Sequence, residues 1–578
     1  MLIYRKGSEP SCALSADALI EMEPGESVSF NLASGGHWFG HGFNHTQHFP
    51  LGDACIVAPS FGVNNIQSPI WMCSAGVAIL AETTRLLDVR FNENRDGCLK
   101  VSSPFAALRL RIWKRADLPE AQRELLRHLG WPNQPPEAGL FGDSLFCTWT
   151  QYPRTITQQR VLEMAFQIRE RGYPCATLLI DDRWESCFGD LSFSEDFPDP
   201  KAMIEELHRL GFRVWLWVTP FVNRESRHFE ELSQNKVLVP RRDHGGAAMF
   251  SWWGGEAGLI DATAPHGRAW LRERLRTLRE DFGVDGFKID GGDFKYQPAP
   301  DISLWHDPAG ESGFSDALLS VFDELLPLAC ESRTAWLSQR RSIIWREGGK
   351  DSHWGKDNGL QAMVSLALHL GLMGYDILIP DMIPGRVQTL SADHPLPSDE
   401  LMVRWTEASV FMPLIQFSYF PWNYAEATER AVRAYALLHR ELQNYIAAEA
   451  RDRKSPLIRP IWYDSPDSLE LMGVCDEYML GRDLLVAPVL EEGAVARDVF
   501  LPPGRWINAW SGMVVHEGHH ISFPSPCPGI PLFVRAERPD LVGLLRQFLS
   551  GIKRGSVPAG FTSATYTAGL NRDIRFTG

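Results

Sequence analysis

Residues 283–293 read GVDGFKIDGGD, and the rest of the chain is organised around this stretch. A short apolar run ends at Asp290, with Lys288 just before it and a glycine pair directly after. Strand alternation puts Lys288 and Asp290 on one face. Gly291 and Gly292 let the chain turn sharply and leave the carboxylate at an open strand end. A carboxylate there, beside a cation that favours its ionised form, is a candidate nucleophile. An aspartate in that place can also do no more than cap a helix or sit in a loop.

Working outward, the same unit recurs: an amphipathic helix, a glycine, then a short apolar strand. Gly172 precedes YPCATLLIDD, Gly211 precedes FRVWLWVTP, Gly283 precedes VDGFKID and Gly374 precedes YDILIPDM. One such helix is marked by Met203, Ile204, Leu207 and Leu210, opened by Asp199-Pro200 and closed by Gly211. Helix and strand in alternation predict a parallel sheet covered by helices. The length of the repeat suits an α/β fold of the (β/α)8 TIM barrel type, over residues 141–460. No G-x-G-x-x-G follows an early strand, which disfavours a dinucleotide-binding sheet. Residues 1–140, with short alternating runs such as DACIVAPSFGV and FAALRLRIWKR, predict an N-terminal β-sandwich. Residues 461–540, with YMLGRDLLVAPV and GIPLFVRAE, predict a small C-terminal β-domain, read as a second sandwich. The tail, 541–578, holds one helix-like stretch, LVGLLRQFLSGIKR.

Three predicted strands end in carboxylates: Asp181 with Asp182, Asp290, and Asp381. The C-terminal strand ends of a barrel carry its active site, so the recurrence points to one acidic mouth. The segment 341–360, RSIIWREGGKDSHWGKDNGL, adds Asp351 after a strand-like run and a glycine pair, with Trp354 close by. Beside an aromatic ring Asp351 suits a general acid, which needs a raised pKa. A surface loop aspartate is the plainer reading, and Asp357 competes as N-cap of the helix beginning near Asn358.

Composition narrows the function classes. A chain of 578 residues is too long for one core. A formal net charge of −15 argues against a nucleic-acid partner. Twenty tryptophans suit sugar platforms as well as large cores. None of the ten cysteines forms a C-x-x-C pair, so no zinc ribbon or redox motif is indicated. The stretch GGHWFGHGFNHTQH gathers His37, His41, His45 and His48, yet its glycines make a metal-binding helix improbable. It reads as a Gly-rich loop reaching toward the next domain, and no metal or cofactor is expected. The N-terminus lacks the apolar core of a signal peptide and no uncharged run is long enough to span a bilayer, so a cytoplasmic location without membrane attachment is expected. A homo-oligomer is compatible with the sequence.

Taken in order, the motifs DD-R-W, VWLWVTPF, SWWGG with LIDAT, GVDGFKIDGGD, GGKDSHWGKDNGL and LIPDM resemble glycoside hydrolase family 31. The resemblance extends to YMLGRDLLVAPV and LPPGRW beyond the barrel. TWTQY, GLMGYDILIPDM and QFSYFPW are most similar to the branch of the myogenesis-regulating glycosidase and its bacterial relatives. The resemblance implies a retaining α-glycosidase acting on an oligosaccharide or other glycoside, with Asp290 as nucleophile and Asp351 as acid/base. It implies that Lys288 holds the nucleophile ionised and touches a sugar hydroxyl. Asp181 and Asp182 would accept hydrogen bonds from hydroxyls far from the anomeric carbon. Trp149, Trp217, Trp253 and Trp354 would serve at the pocket wall, core packing being the alternative for each of the first three. Asp381 would act as ligand or support. Family members also carry an Arg upstream of the acid/base; in AWLSQRRSIIW the register leaves Gln339, Arg340 or Arg341 for that place.

The branch implies an α-galactoside, with an α-glucoside or α-xyloside as the alternative, since small pocket changes separate these sugars. A sulfoquinovosidase is disfavoured because DDRWESCFGDLSF lacks the basic patch that a sulfonate would want. A catalytically inactive carbohydrate-binding homologue is the alternative from another class, against which the presence of both Asp290 and Asp351 counts. A metal-dependent barrel hydrolase would need histidines at the strand ends, where this chain has aspartates.

Overall fold

The computed structural model describes residues 2–553, except 6–10, 33–35, 54–64, 85–86, 94, 96, 105, 133–135, 243–244, 293–309, 387–394, 453–454 and 469. Two five-stranded antiparallel sheets come first. One joins Ser11–Ala13, Leu2–Arg5, Ser27–Asn31, Leu99–Ser102 and Asp88–Phe91; the other joins Ala18–Met22, Leu108–Lys114, Val77–Ala81, Gln67–Cys73 and Trp38–Gly42. Alternation is visible in Leu108–Lys114, where Leu108, Leu110 and Ile112 are buried and Arg109 is exposed. These apolar faces meet with Val28, Phe30, Trp38, Trp71 and Val89 to form a core separate from that of the barrel.

The His-rich stretch is a strand rather than a loop over Trp38–Gly42. Gly40 sits so close to the neighbouring strand that a Cβ would lie 2.4 Å from the Ile70 carbonyl oxygen. The stretch does reach the next domain: Gly40 N–H donates to His369 Nδ1 at 3.0 Å, and His369 Nε2 lies 2.7 Å from the His48 carbonyl oxygen. Burial pushes His41 down to about 3 and His369 down to about 4, so both are neutral packing groups.

The barrel strands follow in order: Ser144–Cys147, Cys175–Ile180, Arg213–Val218, Gly286–Ile289, Cys330–Ser332, Ile344–Arg346, Leu378–Ile379 continuing as Met382–Ile383, and Gln416–Phe417. Every neighbouring pair is parallel. The two ends of this sheet, Leu378–Ile379 and Met382–Ile383, are pieces of one stretch separated only by Pro380 and Asp381. The recurring glycines are the turns out of the helices: Gly172, Gly211, Gly283 and Gly374 have φ of 69, 80, 86 and 88°. The helix Pro200–Arg209 begins as its sequence predicts, with Asp199 Oδ1 accepting from Ala202 N–H at 3.0 Å and Pro200 in the first turn. Asp357 caps nothing; the helix Leu360–Leu372 starts behind Gly359 without a side-chain cap.

Beyond the barrel, the described residues form one six-stranded antiparallel sheet rather than the two layers of a sandwich. Its long strands Ala496–Asn508 and Val514–Pro524 bend through register shifts between Val499 and Leu501 and between Leu501 and Arg505. The helix Pro539–Lys553 packs against the barrel helix Glu426–Glu441. Among the described residues no helix is long and apolar enough to cross a membrane.

Candidate active site

All eight barrel strands deliver a polar or aromatic side chain to one layer beneath the C-terminal mouth. In strand order these are Cys147, Asp181, Trp217, Lys288 with Asp290, Glu331, Arg346, Asp381 and Gln416. The layer follows from the inward alternation of a parallel barrel, in which neighbouring and alternate strands meet across the interior.

Asp290 stands directly after the fourth strand, its backbone N–H donating to the Val218 carbonyl at 2.9 Å. Trp217 Nε1 donates to its Oδ2 at 2.9 Å, and Gly291 N–H to its Oδ1 at 3.2 Å. Arg333 forms an ion pair with Oδ1, and Arg346 Nη2 lies 3.5 Å from the same oxygen. Burial alone would raise this carboxyl, but Arg333, Arg346 and Lys288 outweigh it and hold Asp290 below its ordinary value. It is therefore an ionised carboxylate in a largely water-excluded place, the condition for attack on carbon.

Lys288 is not the direct partner that the sequence suggests. Its Nζ pairs with Asp181 Oδ2 at 2.7 Å, and both side chains are fully buried. The reason is the alternate-strand layering: Lys288 on the fourth strand points inward and meets Asp181 from the second. Burial pulls the ammonium toward neutrality, and Asp181 together with Cys147 and Glu331 outweighs it, so Lys288 stays charged. With Cys147 Sγ 3.1 Å from Asp181 Oδ2 and the Asp182 N–H on Oδ1 at 2.9 Å, the inner carboxylate is already occupied. Lys288 thus acts on Asp290 at a distance, through its charge.

Asp381 is also fully buried. It accepts from Arg346 Nη1 at 3.0 Å on Oδ1 and from the Lys350 backbone N–H at 3.2 Å on Oδ2. Its φ of 63° turns the side chain back under the mouth. Both of its oxygens are thus taken up by Arg346 and the Lys350 backbone. Asp182 has one oxygen, Oδ1, buried without a hydrogen-bond partner among the described residues. Burial, with the charges of Asp181 and Asp290 added and Arg183 opposing, pushes it up to about 7.

Asp351 lies in the loop after the sixth strand. Asn358 Nδ2 donates to its Oδ2 at 3.1 Å, while Arg386 Nε is 3.6 Å from Oδ1. Its backbone is bridged to Arg386 and to the Asn358 carbonyl oxygen. Of the tryptophans, Trp217 is buried behind Asp290; Trp149 and Trp354 are half-buried; Trp253 is 41% exposed and lies 5.4 Å from the Arg333 guanidinium. A three-stranded insert of Phe221–Asn223, Phe250–Trp252 and Gly255–Leu259 carries Trp253 over the mouth.

Sequence reading missed Arg333, Arg346, Glu331 and Gln416. Arg346 binds Glu331 Oε1 at 3.1 Å, and Gln416 Nε2 holds Glu331 Oε2 at 3.2 Å. None of the three residues expected in the place of the upstream Arg reaches the site. Arg340 and Arg341 both pair with Asp316, and Gln339 Nε2 donates to the Met373 carbonyl. Arg333 reaches it instead; its signal in the sequence is a cation immediately after the strand Cys330–Ser332.

The comparisons agree with this geometry. Residues 134–449 match the model of the glycosyl hydrolases family 31 TIM-barrel domain, and residues 454–538 match the glycosyl hydrolase family 31 C-terminal domain. Residues 22–108 match the myogenesis-regulating glycosidase N-terminal domain. The chain is 31% identical over 527 residues to the myogenesis-regulating glycosidase of Mus musculus, covering 84% of this chain and 73% of that protein. It is 32% identical over 391 residues to a 1,3-alpha-isomaltosidase of Kribbella flavida, covering 60% of this chain and 52% of that relative, about half of its length. Among solved structures, a GH31 family sulfoquinovosidase from E. rectale shares the fold with a TM-score of 0.79 at 18% identity, over 91% of this chain and 86% of that one. The chain belongs to glycoside hydrolase family 31.

Proposed function

We propose that this protein is an exo-acting retaining α-glycosidase, with Asp290 as nucleophile and Asp351 as acid/base. The observation that carries the reading is the Asp290 carboxylate, held ionised by Arg333 and Arg346 and oriented by Trp217. A carboxylate so held attacks the anomeric carbon, forming a glycosyl-Asp290 ester as the bond to the leaving oxygen breaks. Asp351 gives its proton to that oxygen. Its Oδ2 accepts from Asn358, which orients the carboxyl group. Water then gives a proton back to Asp351 and attacks the same carbon, releasing the sugar with its α configuration kept. Asp182, whose Oδ1 lies 3.7 Å from Arg183 Nε without a hydrogen-bond partner among the described residues, and the partly exposed Trp149, Trp253 and Trp354 are placed to bind the sugar.

The substrate we place first is an α-galactoside, on the similarity to the myogenesis-regulating glycosidase branch in both halves of the chain. An α-glucoside or α-xyloside is second, favoured by relatives named 1,3-alpha-isomaltosidase and alpha-xylosidase. Aryl α-galactoside, α-glucoside and α-xyloside are assayed with wild type and Asp290→Asn. Turnover of the galactoside alone, lost in the variant, supports the reading. Turnover of the glucoside or xyloside alone replaces the sugar. Inertness toward all three with sugar binding intact sinks the enzyme reading.

A further inference from the structure

The loop Glu347–Asn358, which carries Asp351, is held at many of its backbone polar groups. Glu347 N–H donates to the Ile379 carbonyl at 3.0 Å, Arg386 N–H to the Lys350 carbonyl at 2.7 Å, and Ser352 N–H to the Arg386 carbonyl at 3.1 Å. Asn358 Nδ2 closes it from within on the Gly349 carbonyl at 2.8 Å. These ties come from the barrel. A second set comes from the N-terminal β-domain, across more than 280 residues of sequence separation in one case.

Asn65 is buried, and its Oδ1 accepts both from its neighbour Ile66 N–H at 2.9 Å and from Gly348 N–H at 3.0 Å. Gln47 N–H donates to the Lys356 carbonyl at 2.8 Å. The Lys350 ammonium, fully buried, pairs with Glu347 at 3.0 Å and lies 5.7 Å from the centre of the Phe43 ring. Phe43 is itself pinned to the N-terminal sheet, its N–H on the Ile66 carbonyl at 3.0 Å and its carbonyl on Gln67 Nε2 at 2.8 Å. A buried N–H without an acceptor, and a buried ammonium without its aromatic face, would each be relieved by moving the loop. The loop's displacement would carry Asp351 with it.

We propose that the N-terminal β-domain is part of the catalytic apparatus: Asn65 and Phe43 are positioning residues that hold the acid/base loop at Gly348 and Lys350. The inference rests on the reading of Asp351 as acid/base. A general acid matters most when the leaving group is poor, so its misplacement has a signature that loss of general stability lacks.

The test uses the best-accepted α-glycoside made with two leaving groups, dinitrophenyl and methyl, on wild type, Asn65→Ala, Phe43→Leu and Asp351→Ala. In Asn65→Ala and Phe43→Leu, kcat/KM on the methyl glycoside falls about 10- to 100-fold, while on the dinitrophenyl glycoside it stays within about twofold. Azide raises kcat on the dinitrophenyl glycoside by accepting the glycosyl group in place of base-activated water. Equal losses on both substrates in step with a lowered melting temperature, or no loss at all, overturn the inference. Phe43→Leu keeps the test open if Asn65→Ala does not fold. Asp351→Ala separates the two failures. If it shows the leaving-group pattern and the others do not, only the inference fails; if it lacks the pattern, the acid/base reading fails first.

Discussion

Arg346 joins Asp381 to Asp290: its Nη1 lies 3.0 Å from Asp381 Oδ1 and its Nη2 3.5 Å from Asp290 Oδ1. One guanidinium thus spans the sixth, seventh and fourth strands and links a buried aspartate to Asp290, the proposed nucleophile. Asp381→Ala leaves Arg346 buried with one carboxylate fewer and the Lys350 N–H without its acceptor. Breaking a buried pair from one side costs about 3–5 kcal/mol. We expect a urea midpoint lowered accordingly and a fall in kcat, since Asp381 sits under both Asp290 and the loop of Asp351. Full activity at wild-type stability would refute this link.

Arg333, and not Arg340 or Arg341, pairs with Asp290, the proposed nucleophile. Arg333→Met is expected to lower kcat/KM by about 100-fold or more, the scale of losing an electrostatic contact made in the transition state. Arg340→Ala, which parts from Asp316, and Arg341→Ala, which parts from Asp316 and Asp323, should keep kcat/KM close to wild type. Steady-state kinetics on the three variants check the assignment, and a reversed order would overturn it.

Trp217 gives Asp290 one charge-assisted hydrogen bond. Trp217→Phe removes the N–H while keeping most of the ring. A hydrogen bond to a charged group is worth about 1.5–3 kcal/mol, so kcat/KM should fall roughly 10- to 100-fold. An unchanged rate with an intact fold by circular dichroism would show that the bond orients nothing.

Lys288 serves the fold before the chemistry. Lys288→Met leaves Asp181 uncompensated in a fully buried place, and a loss of about 3–5 kcal/mol is expected by chemical denaturation. If the variant is as stable as wild type and only the rate suffers, the pairing is secondary.

Buried carboxyls raised by their burial, Asp182, Glu185, Glu331, Glu347 and Glu477, lower stability as pH rises. The buried histidines His41, His369 and His439, held low by burial, act in the opposite direction up to the ordinary imidazole range. The carboxyls divide by how far they are raised. Burial pushes Asp182 and Glu347 up to about 7, and Glu185 and Glu477 up to about 8. Such a carboxyl keeps in the folded state a proton that the unfolded chain has released, so folding takes up protons and stability falls as pH rises from the ordinary carboxylate range to about 8. Asp290 and Asp381, held low against their burial by Arg346 and its companions, have the opposite sign. They stabilise above the ordinary carboxylate range and lose that contribution as pH falls through their lowered folded values, below that range. Urea midpoints at about pH 5 and about pH 8 should therefore differ, with the lower value at the higher pH. Glu477→Gln should narrow the gap, and a flat or inverted profile would contradict the assignment.

The sequence by itself determined what is local. Glycines at positive φ after the helices of the recurring unit, Asp199-Pro200 at a helix start and apolar runs ending in aspartate are set within a few residues, so the parallel architecture and the candidates Asp290 and Asp351 could be read from them. The family motifs extended that reading along the chain. Only the tertiary structure decided who pairs with whom. Lys288 and Asp290 share a strand face, yet Lys288 binds Asp181, 107 positions away, because inward side chains of alternate strands meet inside the barrel. Arg333 reaches the nucleophile while Arg340 and Arg341 turn to Asp316, a choice of direction that no spacing encodes. The contact of Asn65 with Gly348 spans 283 positions and joins two domains. GVDGFKIDGGD marks Asp290 as the candidate nucleophile from its own residues; its charge state belongs to Arg333, Arg346 and Trp217, which the fold brings to it.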